Sequence, residues 1–528
     1  RPPPGGPGRA EPDGRDMTDR FYVTTPIYYV NGAPHIGHAY TSLAADVMAR
    51  WKRLEGLDVF FLTGTDEHGQ KVEKAALDAG LDPQSFTDGV AGQFRAMGEA
   101  LGISNDDFIR TTEPRHKLAC AALWSRLVES GDIYLGHYEG WYAVRDEAFY
   151  GEDELITNAH GIRIAPTGAP VEWVREPSYF FRLSAWQDRL LAFYEANPDF
   201  IGPGARRNEV VSFVRGGLMD LSVSRTSFRW GVEVPGDPAH VMYVWLDALT
   251  NYLTATGYPD PDAPRAGFWP ADLHMVGKDI IRFHAVYWPA FLMAAGLPVP
   301  RRVCANGWWT VEGEKMSKSI GNVIEPSALI EQFGRDAVRF FLLREMPFGN
   351  DGDFSRRALI SRLNVELAND LGNLAQRSLS MIARNCEGRL PPMPVPVTEA
   401  DTVLLNQAAA LPTLLGDAIE SQAFHTALEE AWRVIRAANA YIDHQAPWAL
   451  KKTDVVRMGG VLRVLAEVIR AVATVLQPFI PESMARMLDQ LSVPTDARAF
   501  AALSEPLADG AILPPPQGIF PRYVEDAA

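Results

Sequence analysis

With 528 residues, 47% hydrophobic and 22% charged, the chain has the balance of a water-soluble globular protein of two to four domains. It contains no uncharged apolar run of membrane-spanning length. Its three cysteines, Cys120, Cys304 and Cys386, stand far apart, which argues against a disulfide framework or a paired-cysteine zinc site and fits a reducing cytoplasm. The net charge of −16 weighs mildly against a nucleic-acid partner but reports solubility more than local surface. Arg206-Arg207, Arg301-Arg302 and Arg356-Arg357 are short basic groups, each open to being a binding face or a solvated one.

Residues 1–16 are rich in Pro and Gly without an apolar h-region, so they read as a disordered leader rather than a secretory signal, with Met17 as the natural start. Phe21 to Tyr28 is an aromatic and β-branched run, predicting a buried strand. A turn at Asn31–Gly37 leads into helical spacing over His38–Leu54, with Leu43, Val47, Met48, Trp51 and Leu54 on its apolar side. Asp58–Thr63 predicts a second strand, Gly64–Gly69 a polar loop, and Lys71 to about Ala79 a helix. This βαβ pattern predicts a parallel sheet whose ligands bind at the carboxyl ends of the strands.

From 130 to 238 strand-like segments (Trp141–Val144, Val171–Val174, Tyr179–Leu183) alternate with Gly and Pro turns, which reads as an α+β insertion. Alternation resumes with Val241–Leu246, His274–Val276, a helix from Asp279 to Ala295, and Arg302–Ala305. The expected fold is therefore a Rossmann-like parallel sheet over 17–129 and 239–305, interrupted by an insertion over 130–238. A linking subdomain follows over 306–355 and an all-α helical bundle over 356–528, with amphipathic stretches near 356–384, 401–445 and 455–491.

Two short segments carry the chemistry. Pro34-His35-Ile36-Gly37-His38 sits in a strand-to-helix turn. There Gly37 lets a nucleotide approach the backbone, the helix start favours phosphate, and two imidazoles add donors. Lys315-Met316-Ser317-Lys318-Ser319 lies in a loop flanked by glycines, where lysines can close over a triphosphate and neutralise a pentavalent transition state. Either segment alone is compatible with a structural histidine or a solvated lysine loop.

Together, in this order and each preceded by half a sheet, the pair resembles the HIGH and KMSKS signatures of the class I aminoacyl-tRNA synthetases. Three further segments, Thr24–Gly32, Gly64–Gly69 and Tyr243–Ala248, make the chain similar to the methionyl-tRNA synthetases over about Arg20 to Trp448. The resemblance implies that His35, Gly37 and His38 contact ATP, that Gly277 and Asp279 belong to its ribose-binding segment, and that Lys315 and Lys318 stabilise the transition state. Mg²⁺ would arrive with ATP. It also implies a methionine pocket of Ile27, Tyr29, Asp66, Trp245, Ala248, Leu249, Tyr252 and His284. Asp66 would face the ammonium, and the aromatics the thioether at about 0.3–1.5 kcal/mol per contact. Leu249 stands where some relatives have proline.

Many relatives hold zinc through cysteine pairs in the insertion. Here the matching stretch, Tyr142–Glu147, has none, so a metal-free insertion that helps seat the tRNA acceptor end is expected. No separate editing pattern is recognisable, so proofreading against homocysteine would fall to the synthetic site. In the helical tail Asn373 and Arg377, four apart on one face, and Trp448 match anticodon-reading positions. The expected partners are methionine, ATP and the initiator and elongator methionine tRNAs, for a cytoplasmic monomer. The alternatives are a class I synthetase for another amino acid, a small-metabolite nucleotidyltransferase and a silent tRNA binder. The motifs around Tyr29 and Trp245, the long helical tail, and the intact His35, His38, Asp66 and Lys318 speak against them in turn.

Overall fold

The computed structural model describes residues 19–146, 148–316 and 321–524. The leader expected at 1–16 and Lys318 lie outside these residues. At the centre is a six-stranded sheet in the order Asp107–Arg110, Asp58–Asp66, Arg20–Tyr29, Leu273–Gly277, Val303–Asn306, Ile201–Gly202, every pairing parallel. The strand Arg20–Tyr29 is β-branched and aromatic and nearly buried throughout, as expected of a strand covered on both faces. Its register against Asp58–Asp66 slips between Thr24 and Ile27, at Pro26, which has no N–H to offer a ladder. The strand order reverses between Arg20–Tyr29 and Leu273–Gly277, which opens a crevice at their carboxyl ends.

Helix Ile36–Leu54 covers one face, with Leu43, Val47, Met48 and Trp51 at most 1% exposed. Where a strand was expected over Val241–Leu246, the strand Asp237–Met242 ends and helix Val244–Thr254 begins. The spacing of Leu246, Leu249, Tyr252 and Leu253, all about 1% exposed, is that of a helix face. Val171–Val174 and Tyr179–Leu183 likewise merge into one strand, Glu172–Phe181. It lies in an antiparallel sheet between Ile133–Ala143 and Leu221–Ser222, with Ala148–Tyr150 at the far edge. Within the same stretch Ile201–Gly202 turns back to the parallel sheet and pairs with Val303–Cys304.

A hairpin of Trp309–Val311 and Glu314–Lys315, paired also with Gly352–Phe354, leads to the tail. There helix Arg356–Arg362 runs through a π-helical stretch, Leu363–Gly372, into Asn373–Asn385. Helices Glu399–Ala409, Leu411–Glu420, Phe424–Gln445, Val455–Leu476 and Pro481–Gln490 complete the bundle. Its core is continuous with that beneath helix Ile36–Leu54, and the rings of Trp51 and Phe500 meet at 4.5 Å.

Candidate active site

His35 occupies the N-cap of helix Ile36–Leu54. Its Nδ1 accepts the Gly37 N–H at 3.0 Å, while His38 Nδ1 accepts the His35 N–H at 3.1 Å. This is a capping box built from two imidazoles, satisfying two donors that a helix start leaves open. An imidazole whose Nδ1 accepts carries its neutral-state proton on Nε2, so each ring is set as an Nε2–H donor. Burial, and then the neighbouring His35, push His38 well below the usual imidazole range, which keeps it neutral. Gly37 serves this geometry directly, because a Cβ there would lie 2.8 Å from His35 Cε1. Helix and late loop are joined, since Ile36 N–H donates to the Ile324 carbonyl at 3.1 Å.

Above this turn lies a cavity of about 1020 Å³. It is lined by His35, Gly37, His38, Gly277, Asp279 and Lys315, and also by Ile27, Tyr29, Asp66, Trp245, Ala248, Leu249, Tyr252 and His284. Every expected nucleotide and methionine residue among the described ones therefore borders a single space. Tyr29 and Asp66 are register partners at the ends of adjacent strands, which brings a ring and a carboxylate together at the crevice. Asp66 is 7% exposed. Opposite, His284 Nδ1 donates to the Ile280 carbonyl at 3.0 Å, leaving Nε2 to accept the Tyr252 hydroxyl at 2.6 Å. Burial pushes His284 down to about 4, so this wall is uncharged and suits a thioether. Trp245 stacks on Phe283 with centroids 3.3 Å apart.

Elsewhere on the lining, a Cβ at Gly277 would sit 2.6 Å from Asp279 Oδ1. Lys278 binds both Asp351 carboxylate oxygens, at 2.7 and 2.6 Å. The ammonium groups of Lys278 and Lys315 lie 4.2 and 5.1 Å from the Trp308 ring centroid.

Sequence reasoning missed the layer behind the pocket. Asp247 stands inside a quoted motif without a role, yet it is fully buried between His68 Nδ1 at 2.6 Å and His116 Nε2 at 2.7 Å. Burial opposes its charge, but His68 and then His116 more than offset this and hold it well below the usual carboxylate range. Glu67, also fully buried, receives Arg110 through both oxygens at 2.6 and 3.0 Å and the Thr112 hydroxyl at 2.6 Å. The only available signal was polarity on otherwise apolar elements, such as His116 and Cys120 one turn apart.

Asn373, Arg377 and Trp448 lie away from the cavity, in the bundle. Asn373 opens its helix, Arg377 pairs with Asp443 at 2.5 Å, and the Arg377 guanidinium lies 5.3 Å from the Trp448 ring centroid. In the insertion, Arg145 and Asp146 reach the cavity. Asp146 accepts Tyr150 Oη at 2.9 Å, Arg145 Nε at 3.2 Å and the Thr167 hydroxyl, beside a small cluster of Ala143, Ala165 and Ala169.

Comparison with known proteins identifies the family. Residues 21–379 match the family model described as tRNA synthetases class I (M), and residues 392–528 match the anticodon binding domain of methionyl tRNA ligase. The methionine–tRNA ligase of Brucella suis is 58% identical over 508 residues, covering 96% of this chain and 98% of that protein. That of Mycobacterium leprae is 56% identical, covering 95% of each. Mycobacterium tuberculosis methionyl-tRNA synthetase in complex with methionyl-adenylate superposes with a TM-score of 0.93 at 54% identity, covering 96% of this chain and all of that one. The chain belongs to the methionyl-tRNA synthetases, class I ligases with a Rossmann-like catalytic sheet and a helical anticodon-binding domain.

Proposed function

We propose that the cavity at the carboxyl ends of Arg20–Tyr29 and Leu273–Gly277 is where this ligase joins methionine to ATP and then to tRNA. Its own residues divide the work as follows. Asp66 receives the ammonium of methionine. Ile27, Tyr29, Trp245, Ala248, Leu249, Tyr252 and His284 enclose the thioether. His35 and His38 offer Nε2–H donors to phosphate oxygens, Gly277 and Asp279 hold the ribose, and Lys315 with Lys318 takes up charge that develops at the α-phosphorus. The methionine carboxylate attacks that phosphorus in line and pyrophosphate leaves. The terminal adenosine hydroxyl of the tRNA then attacks the activated carbonyl and AMP leaves. No protein nucleophile is needed, since catalysis rests on positioning and charge stabilisation. Mg²⁺, arriving with ATP, would supply positive charge to the phosphates. Around His35 and His38 the cavity presents imidazole and ammonium, which suits an ion held by phosphate and water.

The observation that carries this reading is the single cavity bordered by both residue sets, beside which the bond from Ile36 to Ile324 joins the early helix to the late loop. In the same proposal 130–238 seats the acceptor end without zinc, 306–355 carries the lysine loop, and 356–528 reads initiator and elongator anticodons through Asn373, Arg377 and Trp448. Homocysteine is rejected in the synthetic site. The protein acts as a monomer in the cytoplasm; among the described residues no helix is long and apolar enough to cross a membrane. The direct test is amino-acid-dependent ATP–pyrophosphate exchange, with and without Lys318→Ala. Exchange with methionine, lost in the variant, is expected; exchange with another amino acid overturns the assignment of the pocket.

A further inference from the structure

Three segments meet behind the methionine pocket around one carboxylate. His68 follows Asp66 by two residues in the loop after Asp58–Asp66. Asp247 lies on helix Val244–Thr254, two residues after Trp245 and two before Leu249. His116 comes from helix Pro114–Glu129, and its Nδ1 lies 3.0 Å from Thr254 Oγ1. His68, His116 and Asp247 are 2%, 0% and 0% exposed, and none of them borders the cavity.

His116, Cys120 and Asp247 also have the donor types of a metal site, but the spacing speaks against one. Two ligands of a shared tetrahedral zinc, each about 2.0–2.2 Å from the ion, stand more than about 3 Å apart. The contacts of Asp247 at 2.6 and 2.7 Å are hydrogen-bond lengths. A buried carboxylate is costly, and apolar side chains of similar volume commonly replace such a group without loss of stability. What apolar packing lacks is direction. Two charge-assisted bonds at opposite oxygens fix the distance and angle between the segments they join. Here the bond from His68 joins the two walls of the pocket, one carrying Asp66 and the other Trp245, Ala248 and Leu249, and the bond from His116 braces the second wall against helix Pro114–Glu129.

We propose that Asp247, clamped by His68 and His116, is a positioning residue for methionine. It holds the ammonium-binding wall at a set distance from the thioether-binding wall while touching no substrate itself. The inference deepens the reading of the pocket given above and rests on it.

Asp247→Asn keeps the shape and removes the charge. In ATP–pyrophosphate exchange, its KM for methionine is expected to rise about 10- to 100-fold, with the KM for ATP within about twofold and kcat falling less than the methionine KM rises. Discrimination against norleucine, which shares the length of methionine but lacks sulfur, should narrow. His116→Gln, which leaves the bond from His68 to Asp247 in place, should show a smaller change of the same kind and serves if Asp247→Asn does not fold. A methionine KM unchanged in a folded variant overturns the inference, as do methionine and ATP KM values rising in parallel. Added zinc, or a zinc-selective chelator with Mg²⁺ retained, should leave the wild-type methionine KM where it was; a metal-dependent shift would assign the cluster to an ion instead. Absence of methionine-dependent exchange in the wild-type chain would strike the pocket reading rather than this clamp.

Discussion

Arg339, on helix Arg335–Arg344, donates to Asp46 on the helix that starts at His35, its Nη2 2.7 Å from Oδ2, and both side chains are fully buried. The same guanidinium donates to the carbonyls of Phe479 at 2.9 Å, Pro478 at 2.7 Å and Leu101 at 3.0 Å. One side chain thus ties helix Ile36–Leu54 to the end of the long tail helix. Burial opposes the charge of Asp46, but Arg339, Arg50 and the Ser104 donors together hold it below the usual carboxylate range. Arg339→Met would remove one of the two guanidinium partners of that carboxylate, leaving it Arg50 and Ser104, and would strand three carbonyls in the core. A loss of about 3–5 kcal/mol of unfolding free energy is expected, measured by guanidinium denaturation; a loss under about 1 kcal/mol would mean the carbonyls find other donors.

Acid should weaken the fold well above the carboxylate range. Burial pushes His38 and His274 well below the ordinary imidazole value, and His284 down to about 4. In the unfolded chain these rings take protons near pH 6.5, so the unfolded state binds more protons below that value. The stability they contribute is full above about pH 6.5 and is lost as pH falls toward about 4. Denaturation midpoints between pH 7.5 and 4.5 should fall steadily. Replacing His284 with Gln should flatten part of the slope, and an unchanged slope would show that the ring is not held neutral.

Local pattern carried the fold and the site a long way. The strand Arg20–Tyr29, the helix with Leu43, Val47 and Trp51 on one face, and the His35 turn were legible because each shows its periodicity within a few residues. Three kinds of feature were not. Ile201–Gly202 is two residues long, too short for any period, and is a strand only because Val303 and Cys304 lie beside it. Helix Val244–Thr254 opens with β-branched and aromatic residues that imitate a strand. The pair of His68 and Asp247 joins positions 179 apart in sequence, so neither residue shows what it is for until the sheet brings them together.

The hydroxyl of Tyr252 orients His284 rather than binding charge. Tyr252→Phe removes the O–H that Nε2 accepts and leaves a buried nitrogen unsatisfied, a loss of about 1–3 kcal/mol. Because both rings border the cavity, part of that loss should appear as a methionine KM raised about 5- to 50-fold, with ATP binding unchanged. An equal rise in both KM values would place the fault in folding rather than in the pocket wall.

The insertion should hold its shape without a metal. The cysteines of the chain lie at 120, 304 and 386, outside the stretch Tyr142–Glu147. Asp146 instead gathers Tyr150, Arg145 and Thr167 over a cluster of small alanines. Elemental analysis of purified protein should find zinc far below one ion per chain, whereas stoichiometric zinc would place a metal site in this chain. Thr167→Val together with Tyr150→Phe would leave the Asp146 carboxylate with little but Arg145, and should loosen the tip near the cavity without unfolding the catalytic sheet.

Trp448 offers the cleanest separation of the two halves of the reaction. Its indole is 42% exposed at the start of helix Pro447–Thr453, under the guanidinium of Arg377, which itself pairs with Asp443. An exposed ring of this size beside a cation suits stacking with an unpaired base, worth about 1–3 kcal/mol. Trp448→Ala removes the platform far from the cavity, so aminoacylation of methionine tRNA should fall by about 5- to 150-fold in kcat/KM, while methionine-dependent pyrophosphate exchange stays within about twofold of wild type. Asp443→Asn, which releases Arg377 from its anionic partner, should leave exchange equally untouched and change only the tRNA-dependent step. If Trp448→Ala lowers both reactions alike, the ring is a structural plug and the anticodon is read elsewhere in the bundle.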